Sequence, residues 1–175
     1  MRIISGLFKS RIIKDTKSKR THPMSEKIRG AMFNSIGDIS GNTFLDAFAG
    51  TGAVGIEALS RGASHVNAVE IMSDSFETLK GNRDLVTDSE HMEVHRANIK
   101  TWLKNQDRYF DIVMADPPYD AVSMNALDVV AAYVEVGGLL ILSLPQAEHA
   151  RFKNFKKIDE KRYGNAKLVF YRRSK

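Results

Sequence analysis

The sequence predicts a Rossmann-like α/β fold whose core is a doubly wound, mostly parallel sheet of seven strands. Short apolar strands alternate with helical segments from Thr43 onward, which is typical of parallel βαβ units. A glycine-rich stretch, DAFAGTGAVG at 46–55, follows the first of these strands. The C-terminal tail predicts two antiparallel strands around Gly164 and Asn165. Ligands are therefore expected at the carboxyl ends of the strands.

The first 22 residues predict a basic hairpin, with extended pieces at 2–4 and 11–14 and Gly6 near the bend. A helix capped by Ser25 or Thr21 is expected next, because apolar residues then recur at helical spacing. The following strands are predicted at 44–48, 65–70, 92–97, 110–116 and 137–144. The helices between them are predicted at 54–62, 73–86, 98–105 and 124–134.

Length and composition restrict the class of protein. The chain has 175 residues, enough for one domain with a sizeable core, and it has no cysteine, which excludes disulfides and thiolate metal sites. Its five histidines lack metal-ligand spacing, so no metal is expected. With no apolar run long enough for a membrane and no signal-peptide core, a cytoplasmic protein without membrane contact is expected. No exposed apolar stripe stands out, which favours a monomer.

The net charge of +5 is unevenly distributed. Residues 1–30 hold nine lysines and arginines against two acids, and residues 151–175 hold ten against two. The part between them, 31–150, holds seven against seventeen. An acidic body with two basic ends predicts a polyanionic partner such as a nucleic acid, with solvated basic tails as the alternative interpretation.

The glycine-rich stretch contains GTGAVG, a G-x-G-x-x-G pattern, and Glu70 follows Gly50 by 20 positions. This spacing is also typical of dinucleotide sites, in which a pyrophosphate lies at the helix N-terminus. Asp46, however, lies near the strand end, where a carboxylate repels phosphate and attracts a cation. S-adenosylmethionine (SAM) carries a sulfonium and an ammonium group and no phosphate. Asp46 therefore favours SAM over NAD, whereas Glu70 could accept the ribose hydroxyls of either.

The motif DPPY, at 116–119, ends the fourth predicted strand. Its two prolines stiffen the turn and remove two N–H donors. The Asp116 carboxylate and the Pro117 carbonyl can accept the two hydrogens of an exocyclic nucleobase amine, and Tyr119 can stack on the base. Methyl transfer to such an amine depends on alignment and electrostatics. The predicted catalytic residues are Asp116, Pro117, Pro118 and Tyr119.

In these motifs the sequence resembles the bacterial RsmD-type family, whose members methylate the N2 amine of a guanine in 16S ribosomal RNA with SAM. The resemblance covers nearly the whole chain. It lies in MRIISGLFKSRII at 1–13, P-x-S-x-x-x-R-x-A-x-F-N at 23–34, LDAFAGTGAVGIEALSRGA at 45–63, FDIVMADPPY at 110–119 and RYGNAKLVFYR at 162–172. The glycine loop and DPPY alone fit many amino-methyltransferases, and the two terminal segments are more specific.

The resemblance implies a role for each matched position. An RNA-contacting extension, 1–22, would precede a SAM-dependent methyltransferase domain, 23–175, and the partner would be 16S ribosomal RNA or the assembling small subunit. The implied cofactor-binding residues are Asp46, Phe48, Gly50, Gly52, Glu70, Asn98 and Ile99. The implied RNA-binding residues are Arg2, Lys9, Arg11, Lys14, Lys19, Arg20, His22 and Arg29.

Three positions depart from the family pattern. His22 stands where arginine is common, Asn98 where aspartate is common, and Ser143 where the fifth strand often ends in glutamate. Two other functions stay open on the sequence alone: a DPPY-type methyltransferase for DNA adenine N6 or protein glutamine, and a non-catalytic RNA-binding assembly factor. A dehydrogenase is disfavoured, because no strand end offers an acid or base for hydride transfer.

Overall fold

The computed structural model describes residues 1–16, 24–86 and 90–175. Within these residues, the helices are Glu26–Ile36 (α1), Ala53–Ser60 (α2), Ser73–Val86 (α3), Ile99–Lys104 (α4) and Met124–Ala132 (α5). The strands are Thr43–Asp46 (β1), His65–Glu70 (β2), Met92–Arg96 (β3), Phe110–Ala115 (β4), Val134–Pro145 (β5), Phe155–Tyr163 (β6) and Ala166–Arg173 (β7). No helix in this part of the chain is long and apolar enough to span a membrane.

All seven strands form one sheet in the order β3-β2-β1-β4-β5-β7-β6. Strands β1 to β5 pair in parallel, and β7 pairs antiparallel with both β5 and β6. The predicted mostly parallel seven-stranded fold is therefore confirmed. The strand order reverses between β1 and β4, and the cleft outside the carboxyl ends of such strands is the usual ligand site of this architecture.

The sheet is covered on both faces, which explains why its parallel strands are almost continuously apolar. In β4, Ile112 and Met114 belong to the cluster that includes side chains of α1, α2 and α3. Val113 and Ala115 belong to the cluster on the opposite face, with side chains of α4 and α5. This three-layer packing holds the strand ends rigidly in place.

The N-terminal segment packs on the domain as part of its core. The predicted hairpin is reduced to one antiparallel bridge, between Arg2 and Ile12. The side chains of Ile3, Phe8 and Ile13 are buried, while the basic side chains between them face solvent. The basic side chains are therefore exposed on a segment that is itself packed against the domain. The predicted boundary at residue 22 lies outside the described residues.

The strand β5 begins at Val134, three residues earlier than predicted. Its first residues pair with β4 through a register shift between Phe110 and Ile112. Gly138 lies in this region, and a Cβ there would lie 2.7 Å from the carbonyl oxygen of Asp111. Gly138 therefore accommodates the irregularity within β5, whereas the sequence alone predicted that this strand begins only at residue 137.

Candidate active site

A cavity of about 880 Å³ opens at the carboxyl ends of the parallel strands. Its volume lies in the range of small-molecule and cofactor sites. Of the predicted cofactor and catalytic positions, all but Gly52 line it: Asp46, Phe48, Gly50, Glu70, Asn98, Ile99, Asp116, Pro117, Pro118 and Tyr119. The tertiary structure thus gathers residues from four separate strand ends around one space.

The carboxylate of Asp46 lies at the start of α2. Its Oδ2 accepts a hydrogen bond from the backbone N–H of Gly55 at 3.0 Å, and its side chain is buried. A Cβ on Gly55 would lie 3.1 Å from side-chain atoms of both Met92 and Val66. Glycine is therefore needed for the close approach of α2 to the sheet that this hydrogen bond requires.

Glu70, at the end of β2, holds the other side of the glycine loop. Its Oε2 accepts from the Gly50 N–H at 2.8 Å, and its Oε1 accepts from the Met72 N–H at 2.7 Å. A carboxylate has about four acceptor sites, so each oxygen retains one for a ligand hydroxyl. Two N–H groups of the glycine loop and helix α2, those of Gly50 and Gly55, are thus bonded to carboxylates and are not free for a phosphate.

Gly52 supports the loop from behind the cavity wall. It is the N-cap of α2 with a φ of 80°, a left-handed conformation that favours glycine. A Cβ at this position would lie 2.4 Å from Cδ1 of Leu79. Gly52 is therefore needed for the backbone path of the loop, and it does not line the cavity.

The cavity concentrates negative charge. Burial raises the pKa of Asp46 to about 7, and the nearby charges of Asp116 and Glu70 add to the rise. Burial likewise raises the pKa of Asp116 to about 6. Lys167 is the one basic residue among the described lining residues. A ligand that carries positive charge would relieve the repulsion between these carboxylates.

Asn98 and Ile99 form the end of the cavity near α4. Asn98 is the N-cap of that helix, and its side-chain oxygen accepts from the Lys100 N–H at 3.0 Å. Ile99 is buried beside it, and the half-buried Phe48 packs against the same apolar cluster. An apolar wall with an amide at its rim is suited to a flat aromatic ring such as adenine.

The DPPY turn starts directly where β4 ends. Pro117 is buried, whereas Pro118 and Tyr119 are exposed, with 39% of Tyr119 accessible. The Tyr119 hydroxyl lies 2.9 Å from Oγ of Ser143. Ser143 also lowers the pKa of the Asp116 carboxylate, against the larger rise that burial causes. One serine on the neighbouring strand therefore acts on both the carboxylate and the aromatic ring of the turn.

Sequence reasoning noted Ser143 only as a departure from a family pattern and did not place it in the site. It also missed part of the cavity wall. The residues of that wall come from the start of α1 and from the β6–β7 turn: Met24, Ser25, Ile28, Tyr163 and Asn165. The signal for Ser143 was its position at the end of a parallel strand, next to the strand that carries Asp116.

The predicted RNA-binding residues have different environments. Arg2, Lys9, Arg11 and Lys14 are exposed on the N-terminal segment. Arg2 pairs with Glu26 at 3.6 Å. Lys19, Arg20 and His22 lie outside the described residues, so their predicted contacts stay predictions.

The structure contradicts the prediction that Arg29 binds RNA. Its side chain is fully buried and lies 3.7 Å from the equally buried Glu57 carboxylate. Its guanidinium donates to the carbonyl oxygens of Arg2 at 2.6 Å and of Met24 at 3.3 Å. A group enclosed in this way cannot contact RNA, so Arg29 instead joins α1, α2 and the N-terminal segment.

Comparison with known proteins gives the family. A family model described as "Conserved hypothetical protein 95" matches residues 1–172. Over 131 residues the chain is 35% identical to "Putative rRNA methyltransferase YlbH" of Bacillus subtilis (strain 168), covering 73% of this chain and 71% of that protein. Over 122 residues it is 37% identical to "Ribosomal RNA small subunit methyltransferase D" of Buchnera aphidicola subsp. Baizongia pistaciae.

The chain belongs to the RsmD-type methyltransferase family. The match to the Buchnera protein covers 68% of this chain and spans 61% of that relative's length. Among solved structures, "Putative methyltransferase yhhF from Escherichia coli" superposes with a TM-score of 0.87 and 24% identity, covering 99% of this chain and 98% of that one. This likeness shows that the chain has the methyltransferase fold over 99% of the given residues.

Proposed function

We propose that this protein transfers a methyl group from SAM to the exocyclic N2 amine of a guanine in 16S ribosomal RNA. The observation that carries the proposal is the DPPY turn with Asp116, in the same cavity as Asp46 and Glu70. The names of the relatives support ribosomal RNA as the substrate class. The guanine and its N2 position rest on the family resemblance.

The cavity fits SAM by its chemistry. Asp46 and Glu70 accept from the N–H groups of Gly55 and Gly50 and place carboxylates beside the glycine loop, which disfavours the pyrophosphate of a dinucleotide. The charge of the carboxylates favours the cationic groups of SAM, with the ammonium group expected near Asp46. The free acceptor sites of Glu70 suit the ribose hydroxyls, and Asn98 and Ile99 suit the adenine.

The protein's own contribution is to hold and polarise the amine. An aromatic amine is a poor nucleophile because its lone pair is delocalised into the ring. Hydrogen bonds from its N–H groups to the Asp116 carboxylate and the Pro117 carbonyl would return electron density to nitrogen and fix its direction. With a pKa of about 6, Asp116 is mostly ionised at neutral pH and able to accept.

SAM, when bound, supplies the methyl carbon: the N–C bond forms, the C–S bond breaks, and its electron pair returns to sulfur. The methylated nitrogen then carries one proton too many. The Asp116 carboxylate or a water molecule accepts that proton and restores a neutral amine. Tyr119 would stack on the base and hold it in place.

The partner would be 16S ribosomal RNA or an assembling small subunit in the cytoplasm. The protein would act on it as a monomer.

The decisive experiment incubates unmodified small-subunit particles with methyl-labelled SAM and identifies the labelled nucleoside by mass spectrometry. Label on N2 of a single guanine is expected. Label on adenine N6 of DNA or on a protein glutamine, in parallel reactions, would replace the proposal with an alternative amino-methyltransferase. SAM binding without transfer to any of them would favour the assembly factor.

A further inference from the structure

The sheet register brings Ser143 beside the DPPY turn. Strand β4 pairs in parallel with β5, and its last residue, Ala115, lies opposite Leu142. One residue further along each strand, Asp116 and Ser143 are therefore neighbours. The Ser143 side chain is 4% exposed, so its hydroxyl needs partners within the protein.

The direction of the hydrogen bonds follows from counting hydrogens. An ionised carboxylate only accepts, so the interaction by which Ser143 lowers the pKa of Asp116 uses the single hydroxyl hydrogen of Ser143. Ser143 Oγ then accepts from the Tyr119 hydroxyl, 2.9 Å away. The resulting chain runs from Tyr119 through Ser143 to Asp116. One buried serine thereby orients both the predicted amine acceptor and the predicted stacking ring.

The charged surroundings make this orientation important. Asp46 faces Asp116 from the neighbouring strand β1, and Glu70 lies beyond it on β2. Asp46 and Asp116 repel each other, and Glu70 adds to the negative charge around Asp46. Among the groups that act on the pKa of Asp116, Ser143 is the one that lowers it and so stabilises the ionised form. Without the Ser143 hydroxyl, the carboxylate would have a weaker tendency to ionise.

We propose that Ser143 is a positioning residue that aims the Asp116 carboxylate at the substrate amine and anchors the Tyr119 ring over the same site. This inference rests on the proposed function, since it assigns the chain of hydrogen bonds to amine methylation. A purely structural serine would stabilise the fold without controlling either side chain.

The test compares Ser143→Ala, Ser143→Thr and Tyr119→Phe with the wild type. For Ser143→Ala we expect kcat to fall about tenfold, the effect of losing one hydrogen bond to a charged group. SAM affinity measured by calorimetry should be unchanged, and Ser143→Thr should restore most of the rate. Tyr119→Phe leaves the Ser143 bond to Asp116 in place, so it should raise KM for RNA more than it lowers kcat.

A readout independent of catalysis is the titration of Asp116 by carboxyl NMR in the SAM-free protein. Its pKa should rise in Ser143→Ala and stay near the wild-type value in Tyr119→Phe, and the acid limb of kcat/KM should move to higher pH only in the former. Ser60→Ala, which removes another buried serine hydroxyl outside the cavity, is the matched control and should change neither.

Two outcomes separate the possible failures. If the wild type methylates RNA but Ser143→Ala keeps the wild-type kcat and Asp116 titration, the inference about Ser143 is wrong and the proposed function stands. If the wild type methylates no exocyclic amine, the proposed function fails and the positioning role fails with it.

Discussion

The carboxylate of Asp46 accepts the backbone N–H of Gly55 at the start of α2, at a distance of 3.0 Å. This contact places negative charge where a dinucleotide site holds phosphate. The G-x-G-x-x-G pattern is shared between the two kinds of site, so the glycines alone do not choose the ligand. The Asp46 carboxylate, which accepts a hydrogen bond in the first turn of α2, determines which kind of ligand is favoured.

Replacing Asp46 with asparagine should weaken SAM binding. The amide oxygen of the new side chain could still accept from Gly55, but the negative charge that attracts the cationic groups of SAM would be lost. We expect the Kd to rise by about tenfold, as for one charge-assisted contact. In the wild type, affinity should increase as pH rises through about 7, where Asp46 ionises, and this dependence should flatten in the variant. Calorimetry between roughly pH 6 and pH 8, a range that brackets this ionisation, measures both.

The matched control is Asp128→Asn, which removes an exposed carboxylate on α5 outside the cavity. It should bind SAM like the wild type. Equal affinities for Asp46→Asn and the wild type would remove Asp46 from the cofactor site.

The same substitution should have a pH-dependent effect on stability. The pKa of Asp46 is raised to about 7 in the folded protein, above its ordinary value of 3.8, so the folded state holds the proton more tightly. The contribution of Asp46 to stability therefore falls as pH rises between these two values. We expect Asp46→Asn to exceed the wild type in Tm at about pH 8 and to lose that advantage near about pH 4. Thermal denaturation without SAM, followed by circular dichroism, tests this; an advantage independent of pH would contradict it.

Asp116→Ala should abolish methyl transfer while largely sparing SAM binding. The carboxylate is assigned to the amine, and Asp46 and Glu70 to the cofactor, so the two functions should separate. We expect a loss of at least about a hundredfold in kcat, in line with removal of a preorganised charged acceptor. Labelled-methyl incorporation and calorimetry on the same preparation provide the two measurements. Full activity in this variant would show that the amine is held by another group.

The basic N-terminal segment should contact RNA most strongly at its cavity end. Lys14 is held at that end by hydrogen bonds. Its backbone N–H donates to Asn82 Oδ1, and the Asn82 side-chain amide donates to the carbonyl oxygen of Thr51, which lines the cavity. Lys9 lies in the turn beside Ser60, at the C-terminal end of α2. At a rise of about 1.5 Å per residue, this end lies about 10 Å from the start of the helix.

We therefore expect Lys14→Ala to weaken RNA binding and to reduce the slope of log K against log salt by about one, as for one lost phosphate contact. Lys9→Ala, an equally exposed lysine, is the comparison and should change the slope less. Equal slopes in both variants and the wild type would assign these lysines to solvent. Filter binding across a salt series measures the effect.

Arg29→Ala should destabilise the fold without removing an RNA contact. The substitution removes two hydrogen bonds from a buried guanidinium to carbonyl oxygens, while Glu57 keeps Arg61 at 2.8 Å, so we expect a loss of about 2 kcal/mol. Lys27→Ala, an exposed residue on the same helix, should cost little. Denaturant unfolding measures the difference. An Arg29→Ala protein with normal stability and weakened RNA binding would restore the original prediction for this residue.

Local patterns in the sequence predicted much of the fold. The helix expected at 73–86 is observed over the same residues, and Ser25 caps α1 as expected. The strand-end positions of Asp46, Glu70 and Asp116 were also predictable, because a parallel βαβ sequence puts successive strand ends on one edge. Their gathering around one cavity followed from that rule.

The failures share a different cause. Arg29 lies in a helix beside charged residues and has the sequence signature of a surface position, yet its partner Glu57 is 28 residues away on another helix. Ser143 belongs to an apolar strand, and only its neighbours on β4 and in the DPPY turn give it a role. Neither contact has a periodic or local signature.

The sequence by itself determined the order of the elements, the strand-end positions of the acidic side chains and the preference for SAM over a dinucleotide, because each depends on residues close together in the chain. Only the tertiary structure decided which cations are buried and which side chains meet across strands. The parallel register of β4 and β5 places Ser143 next to Asp116, and the packing of α1 on α2 encloses Arg29 with Glu57. Such contacts depend on the packing of whole elements, whose register and distance no short stretch of sequence specifies.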